Sequence, residues 1–273
     1  CMEGDSHPGG DDHDTDDDGI FSTADSGIGG VTVTLSGTTA SGADVCSIIP
    51  SCTVTTAADG SYSFAGLPAG TYILTETQPV DYADRTTSAG TPAGTVTGTI
   101  ISGITLSAGQ AGSGYLFGEK TGSLSGSVYY DTNNDGVRDA GENGIAGVTL
   151  TLTGTSAGGA AIDQTVTTAA DGSYSFVDLK NANAGGYTIT ESQPSGYLDG
   201  KETAGTQTGT VDNTGFDATP AKNRISAIPF SAAAAAVDYN FGEVQSGSLS
   251  GRVYHDANGN GSYDAGEELA GVT

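Results

Sequence analysis

The chain has 273 residues, which is enough for two domains of ordinary size, and its 33 acidic and eight basic residues give a net charge of −25. This charge would repel nucleic acid and anionic membrane surfaces and attract multivalent cations, which argues against nucleic acid as a partner. The 44 glycines, the absence of tryptophan and the lack of helical apolar spacing predict strands joined by tight turns. No apolar run approaches the roughly 18–20 residues of a transmembrane segment.

Three acidic segments of similar pattern divide the chain into repeats. They cover residues 14–25, 131–142 and 256–267, and their first residues lie 117 and 125 positions apart. A period of this length corresponds to one domain. We therefore predict a first module over 1–120, a second over 121–245, and at 246–273 the start of a third module or a donor segment. The first module apparently lacks its own first strand, because no counterpart of residues 121–130 precedes its acidic segment.

Within each repeat, apolar and polar residues alternate. Val31, Val33 and Leu35 in the first module have counterparts in the second, and Asp59-Gly60 is typical of a hairpin turn. About seven short strands per period predict an all-β chain of tandem immunoglobulin-like or transthyretin-like β-sandwich modules with EF-hand-type calcium loops.

The three cysteines leave alternatives open. Cys46 and Cys52 lie in an insertion of the first module, with five residues between them. This spacing could close a small disulfide loop, which would favour an oxidising compartment, or the two could be free thiols in a surface loop. Cys1 could be a lipid-modified residue, an intermolecular thiol or the start of an excerpt.

The second acidic segment fits a twelve-residue calcium loop at each key position. Such loops supply oxygens from positions one, three, five, seven, nine and twelve and need glycine at six, where Gly136 stands. The predicted ligands are Asp131, Asn133, Asp135, the Val137 carbonyl, Asp139 and Glu142. Turns rich in asparagine, aspartate and glycine can also form without metal. Three such loops at equivalent positions in a strongly acidic chain nevertheless favour Ca²⁺ as the cofactor.

The other two segments follow the same scheme with different ligands. The third, predicted to bind more weakly because it has fewer charges, offers Asp256, Asn258, Asn260, the Ser262 carbonyl, Asp264 and Glu267. The first offers Asp14, Asp16, Asp18, the Ile20 carbonyl, Ser22 and Asp25. Strands and not helices flank the second loop, so we expect a stabilising ion and not a sensor.

These motifs together resemble a known family. The stretch Gly-Ser-Leu-Ser-Gly-Ser-Val-Tyr-Tyr before Asp131, the calcium loop, Asp-Gly-Ser-Tyr-Ser-Phe176 and Tyr-Asn-Phe-Gly-Glu243 resemble the SdrD B-like repeats of serine-aspartate repeat surface adhesins. The resemblance covers nearly the whole chain. It implies calcium-binding β-sandwiches related to the collagen-adhesin B fold. It also implies an extracellular location on a bacterial cell surface, where such modules act as stalks.

Two functions remain open. The array is either a stalk whose binding head lies elsewhere, or a subunit of a filament in which the tail of one chain completes the first module of the next. The expected partners are copies of the chain or neighbouring modules, with a host or matrix protein as a possible ligand. An enzyme is not expected, because the sequence shows no nucleophile elbow, phosphate loop or zinc-ligand spacing.

Overall fold

The computed structural model describes residues 9–14, 20–22, 25–214 and 222–271. Within these ranges the regular structure consists of eighteen strands and a single 3-10 helix of three residues, Val45–Ser47. This confirms the all-β prediction. None of the described segments forms a helix long and apolar enough to cross a membrane.

The first nine strands form two sheets. One sheet has the order β2-β1-β9-β6 and the other β4-β3-β5-β8-β7. The strands are β1 Gly10–His13, β2 Ser26–Gly27, β3 Thr32–Thr39, β4 Thr53–Thr55, β5 Gly70–Glu76, β6 Ala83–Thr91, β7 Thr95–Thr97, β8 Ile100–Leu106 and β9 Ser113–Lys120.

The next nine strands repeat this architecture. One sheet has the order β13-β10-β18-β15, with β17 also paired to β10, and the other has the order β12-β11-β14-β16. The strands are β10 Gly122–Tyr130, β11 Thr149–Thr155, β12 Ala161–Thr167, β13 Ser173–Leu179, β14 Tyr187–Glu191, β15 Leu198–Thr203, β16 Arg224–Ile228, β17 Ala235–Ala236 and β18 Asn240–Val244. We call the two strand sets module one and module two.

Alternating side chains build both cores. Leu35 of β3 lies opposite Leu74 of β5, Val33 and Tyr72 share the inward faces of these strands, and all four are buried. Leu150 and Leu152 of β11 do the same in module two. The inward faces of these strands are thus mainly apolar while their outward faces are rich in threonine, as the period-2 pattern predicts.

The prediction that module one lacks its first strand needs a partial correction: the short strand β1 matches the second half of β10, and the residues that would match most of the first half lie outside the described ranges. β1 runs parallel to β9 and places Asp11 opposite Phe117, just as β10 runs parallel to β18 and places Val128 opposite Phe241. The sequence Gly-Asp-Asp-His has no apolar alternation, so the pattern gave no sign of a strand. Its backbone nevertheless pairs with β9, and Asp11 is fully buried.

The tail after β18 begins without regular structure. Residues 245–253 form no strand and are all exposed, and an isolated bridge joins Tyr254 to Glu268 around the third acidic loop. The tail therefore contributes no strand to the two sandwiches.

Candidate metal centres and module junction

The acidic loop after β10 is curled by its own side chains. The Asp131 carboxylate accepts hydrogen bonds from the backbone N–H groups of Asp135 at 3.2 Å and Gly136 at 2.8 Å. Asn133 Oδ1 also accepts from Asp135 N–H, at 3.1 Å, and Asp135 Oδ1 accepts from Val137 N–H at 2.8 Å. Successive oxygens are thereby turned toward the inside of the loop.

Glu142 closes the loop from its other end. Its Oε1 accepts from Thr132 N–H at 2.7 Å and its Oε2 from Asp139 N–H at 3.0 Å. Although burial opposes ionisation, these donors hold the pKa of Glu142 below its ordinary value. Asn133 Nδ2 donates to Asp139 Oδ2 at 3.3 Å. The six predicted ligand residues of this loop thus belong to one connected turn.

Left-handed backbone makes this curl possible. Asn134 and Gly136 have φ values of 53° and 84°, a region that glycine and asparagine tolerate best. The Gly136 carbonyl also accepts a hydrogen bond from the Thr203 hydroxyl on β15 at 2.5 Å. The loop is therefore fixed to the neighbouring sheet.

The third acidic loop repeats the same hydrogen bonds. Asp256 accepts from Asn260 N–H at 3.1 Å and from Gly261 N–H at 2.8 Å. Glu267 accepts from the backbone N–H groups of the second and ninth loop positions at 2.9 Å each. The remaining predicted ligands of this loop also take part in its hydrogen bonds or backbone turn: Asn258, Ser262 and Asp264.

The first acidic loop is described only in part. Ser22 N–H donates to Asp25 Oδ2 at 2.8 Å and Asp25 N–H to the Ser22 carbonyl at 3.2 Å, the same closure as in the other two loops. Asp14 N–H donates to the Glu119 carbonyl at 3.0 Å, as Asp131 N–H does to the Glu243 carbonyl. Ile20 is described and exposed. The predicted ligands Asp16 and Asp18 lie outside the described residues.

The donor chemistry of these loops suits a hard cation. In the described part of the chain, no three carboxylate, imidazole or thiol side chains converge into a metal-binding group by themselves. The second and third loops instead mix carboxylates with amide and backbone carbonyl oxygens, and the first offers carboxylates, a hydroxyl and a backbone carbonyl; all three are the all-oxygen kind of ligand set that Ca²⁺ takes. The residues fit calcium by type and order in the loop.

A second group of acids lies inside module two, where sequence reasoning missed it. Glu191, Glu202 and Glu243 are buried at one end of the core. Burial, followed by the charge of Asp199, raises the pKa of Glu202 to about 9, and burial raises that of Glu243 to about 7. Burial and the neighbouring Glu243 raise the pKa of Glu191 well above its ordinary value.

Module one contains an equivalent group. Glu76 and Glu119 are buried, and both oxygens of Asp11 are buried without a hydrogen-bond partner. Asp11 lies beside Glu76, and two ionised carboxylates are both acceptors, so no hydrogen bond joins them unless one carries a proton. Burial and Glu76 accordingly raise the pKa of Asp11 to about 11, and burial and the Glu76 charge raise that of Glu119 to about 8. The sequence did contain a signal for the burial of Glu76, because this residue continues the every-second-residue series of Tyr72 and Leu74, which face the core.

The insertion of module one is closed covalently. Cys46 and Cys52 are joined by a disulfide bond. Val45 beside it is fully buried, and Asp44 Oδ1 accepts from Cys46 N–H at 2.9 Å. The disulfide therefore closes the insertion, and the buried Val45 anchors it to the core.

The modules meet through a one-residue linker and a polar contact. Thr121 alone separates β9 from β10. The Asp81 carboxylate accepts from Gly158 N–H at 2.5 Å and lies 3.3 Å from Lys180 Nζ. Asn181 Nδ2 donates to the carbonyls of Val80 and Tyr82 at 2.9 Å each, on both sides of Asp81. We call this contact the junction clip.

These features define a class of protein: tandem β-sandwich modules, each with an acidic twelve-residue loop after its first strand. The profile of the SdrD B-like domain matches residues 12–111 and 122–243. The chain belongs to this family.

Sequence relatives agree with this assignment. Serine-aspartate repeat-containing protein D of Staphylococcus aureus strain MW2 is 32% identical over 256 residues, which cover 93% of this chain and 17% of that protein. Serine-aspartate repeat-containing protein F of Staphylococcus epidermidis is 33% identical over 261 residues, 95% of this chain and 14% of that protein. The chain spans well under a fifth of the length of these relatives.

Solved pilin structures show a weaker likeness. The shaft pilin SpaA of Lactobacillus rhamnosus GG has a TM-score of 0.32 and 13% identity, over 89% of this chain and 97% of that one. The major pilin of Streptococcus pyogenes has a TM-score of 0.37 and 14% identity, over 87% and 96%. These values carry no argument about function, and the family assignment rests on the sequence matches.

Proposed function

We propose that the chain is a calcium-stabilised array of extracellular modules that serves as a structural or adhesive stalk of a bacterial surface protein. The observation that carries the proposal is the repeated hydrogen-bond pattern of the loops that begin at Asp131 and Asp256. Membership of the SdrD B-like family supports it. The role is mechanical and not catalytic.

The second loop lies where a bound ion would stabilise a sheet. Asp131 directly follows β10, and its backbone N–H is bonded to Glu243 at the end of β18, so the loop lies against two strands of one sheet. The described ligand oxygens of the second loop come from Asp131, Asn133, Asp135, Val137, Asp139 and Glu142. A bound Ca²⁺ would supply the positive charge that offsets the mutual repulsion of these carboxylates.

Calcium titration by calorimetry tests the proposal. We expect heats of binding for the whole chain, and a Glu142→Gln variant should lose one binding event while remaining folded by circular dichroism, because Gln cannot bind the ion with two carboxylate oxygens. Asp163→Asn, which changes an exposed carboxylate on β12, is the matched control and should bind like the parent chain. An identical isotherm for Glu142→Gln and the parent would refute the loop assignment.

A second candidate function is a subunit of a self-assembling extracellular filament, joined head to tail by strand donation. The observation that favours it is the repeat of Gly122-Ser-Leu-Ser-Gly126 at Gly247-Ser-Leu-Ser-Gly251, because the first of these segments forms a strand of module two. Copies of the chain are the partners in this function, and a host or matrix ligand belongs to the stalk function.

A further inference from the structure

Three buried oxygen atoms at one end of the core of module two have no hydrogen-bond partner. They are both carboxylate oxygens of Glu191 and the amide Oδ1 of Asn223. Only 4% of Glu191 and 2% of Asn223 is exposed, and the Glu191 N–H donates to the Asn223 carbonyl at 3.1 Å. A buried acceptor without a donor is destabilising, most of all when it is an ionised carboxylate. These atoms therefore indicate a binding partner with positive charge.

Glu243 lies beside Glu191, and Gln193 orients the group. The charge of Glu243 acts directly on Glu191, so the two carboxylates are close neighbours. The Gln193 amide donates to Glu243, and Gln193 Oε1 accepts from Asn223 Nδ2 at 3.3 Å. With its Nδ2 group engaged in this way, Asn223 has Oδ1 left as a ligand atom.

The three side chains come from both sheets of the sandwich. Glu191 ends β14 and Asn223 directly precedes β16, and these two strands belong to one sheet. Glu243 lies on β18 in the other sheet. A ligand that all three side chains hold would therefore join the two sheets through the core.

A shared proton would not satisfy this group. One proton between Glu191 and Glu243 supplies a single donor. The second oxygen of Glu191 and the Oδ1 of Asn223 would still have none. A hard cation such as Ca²⁺ takes about six to eight oxygen ligands, and two carboxylates match the charge of a divalent ion. The donor set therefore suits a calcium ion better than a proton.

The surroundings attract a cation and give it a path. The charge of Asp199 acts on Glu243, and that of Glu202 acts on Glu191, so the negative potential extends beyond the two ligand carboxylates. A cavity of about 300 Å³ lies next to the group, and Gln193 and Tyr197 are among the residues that line it. Because Gln193 also contacts the ligand side chains, movement of its side chain would open the interior to this cavity.

In module one a threonine replaces the amide. The Glu76 N–H donates to the Thr99 carbonyl at 2.9 Å, as the Glu191 N–H donates to that of Asn223. Thr99 is only partly buried and has a shorter side chain than asparagine. The amide ligand is therefore a feature of module two.

We propose that Glu191, Glu243 and Asn223 form a second calcium site of module two, inside the core and distinct from the loop that begins at Asp131. The interior ion cross-links the two sheets, whereas the loop lies against two strands of one sheet. This inference goes beyond the proposed function and does not rest on it, because it is argued from side chains outside the acidic loops.

Counting bound calcium by atomic emission after dialysis tests the site. Glu191→Gln should lose one ion per chain relative to the parent, because it removes a charged ligand. Two controls should keep the parent's number: Glu76→Gln, the same change at the matching position of module one, and Asp163→Asn, at an exposed position of β12. An unchanged number of ions in Glu191→Gln would overturn the proposal.

The same count separates the interior site from the loop. Glu142→Gln should lose one ion by the loop assignment, and the double variant with Glu191→Gln should lose two. If Glu142→Gln keeps every ion while Glu191→Gln loses one, the loop assignment fails and the interior site stands. The reverse result overturns the interior site alone.

Thermal unfolding gives a second readout. In EDTA, Glu191→Gln should melt at or above the temperature of the parent, because it removes a buried charge. Its melting temperature should then rise less than that of the parent when calcium is added. Asn223→Thr, which introduces the residue of module one, should weaken binding at this site at least about tenfold and also reduce the rise. An equal rise in all three chains would show that protons or water satisfy the group and would overturn the proposal.

Discussion

At the residue scale, buried carboxyl groups distinguish the cores of the two modules from ordinary apolar cores. Glu191, Glu202 and Glu243 lie together with Asp199 in module two, and the amide of Gln193 donates to Glu243. Mutual repulsion and loss of hydration disfavour their ionised forms. The folded module therefore holds protons that the unfolded chain releases above the ordinary carboxyl pKa of about 4.

This coupling predicts that stability falls as pH rises. Between the ordinary pKa and the raised values of about 7 for Glu243 and about 9 for Glu202, the folded state binds more protons than the unfolded state, so the free energy of unfolding decreases with pH. In chelator, we expect a lower melting temperature at pH 8 than at pH 5.5. Glu202→Gln should reduce this slope and stabilise the protein by about 1–3 kcal/mol at pH 8.

Melting curves of Glu202→Gln and of the surface control Asp163→Asn, recorded across this pH range, check the prediction. Equal slopes for both variants and the parent chain would show that Glu202 is ionised in the folded protein at no cost.

The sequence predicted the loop acids more readily than the buried ones. Asp131, Gly136 and Glu142 stand at fixed spacings that define a loop, and the structure does place them in one connected turn. Glu191 follows Ile189 at the same inward parity, but a charged residue at the end of a strand is usually read as solvent-exposed. Only its position in the alternating pattern of the strand indicated that Glu191 is buried.

At the scale of elements, the first strands of the two modules, β1 and β10, differ in the polarity of the side chains that they bury. β10 places Val128 in the core and buries Tyr129 on its other face, whereas β1 places Asp11 and Asp12 at the equivalent positions. The parallel pairing of β1 with β9 was not predictable from the sequence, since tertiary pairing and not local propensity keeps Gly-Asp-Asp-His extended. The strands with clear alternation, such as β3 and β5, were predictable.

Substitution of Asp11 should therefore strengthen module one. Asp11→Val removes a buried carboxylate and restores the apolar residue that module two has at this position. We expect the free energy of unfolding to rise by about 1–3 kcal/mol at pH 7. Chemical denaturation measures the change.

Asp163→Val, a substitution of the same kind at an exposed site on β12, serves as the comparison and should change stability by less than about 0.5 kcal/mol. A loss of stability in Asp11→Val would mean that the carboxylate makes a favourable interaction in β1.

For the whole molecule, the junction clip determines how one module follows the next. Asp81 bonds to Gly158 and Lys180, and the residue at the matching position of module two is Gly196, which has no side chain for such a contact. With only Thr121 between β9 and β10, the clip restricts the angle between the modules. The short linker was predictable, but the clip was not, because its partners are about 100 residues apart.

Removal of the clip should loosen the junction without unfolding either module. Asp81→Ala deletes the contacts to Gly158 and Lys180, each of which is worth about 1 kcal/mol. Small-angle scattering should then report a broader distribution of maximum dimensions, with circular dichroism unchanged. Asp163→Ala should scatter like the parent, and identical scattering for Asp81→Ala would show that the linker alone fixes the angle.

Calcium stabilisation is the central claim, and thermal unfolding with and without calcium tests it most directly. Binding to the folded state alone adds about 2.7 kcal/mol per site at a hundredfold excess of ion over Kd. We expect the melting temperature to fall by roughly 5–15 °C when calcium is replaced by EDTA, and to recover when excess calcium is restored. A melting curve that is the same in calcium and in EDTA would contradict the account.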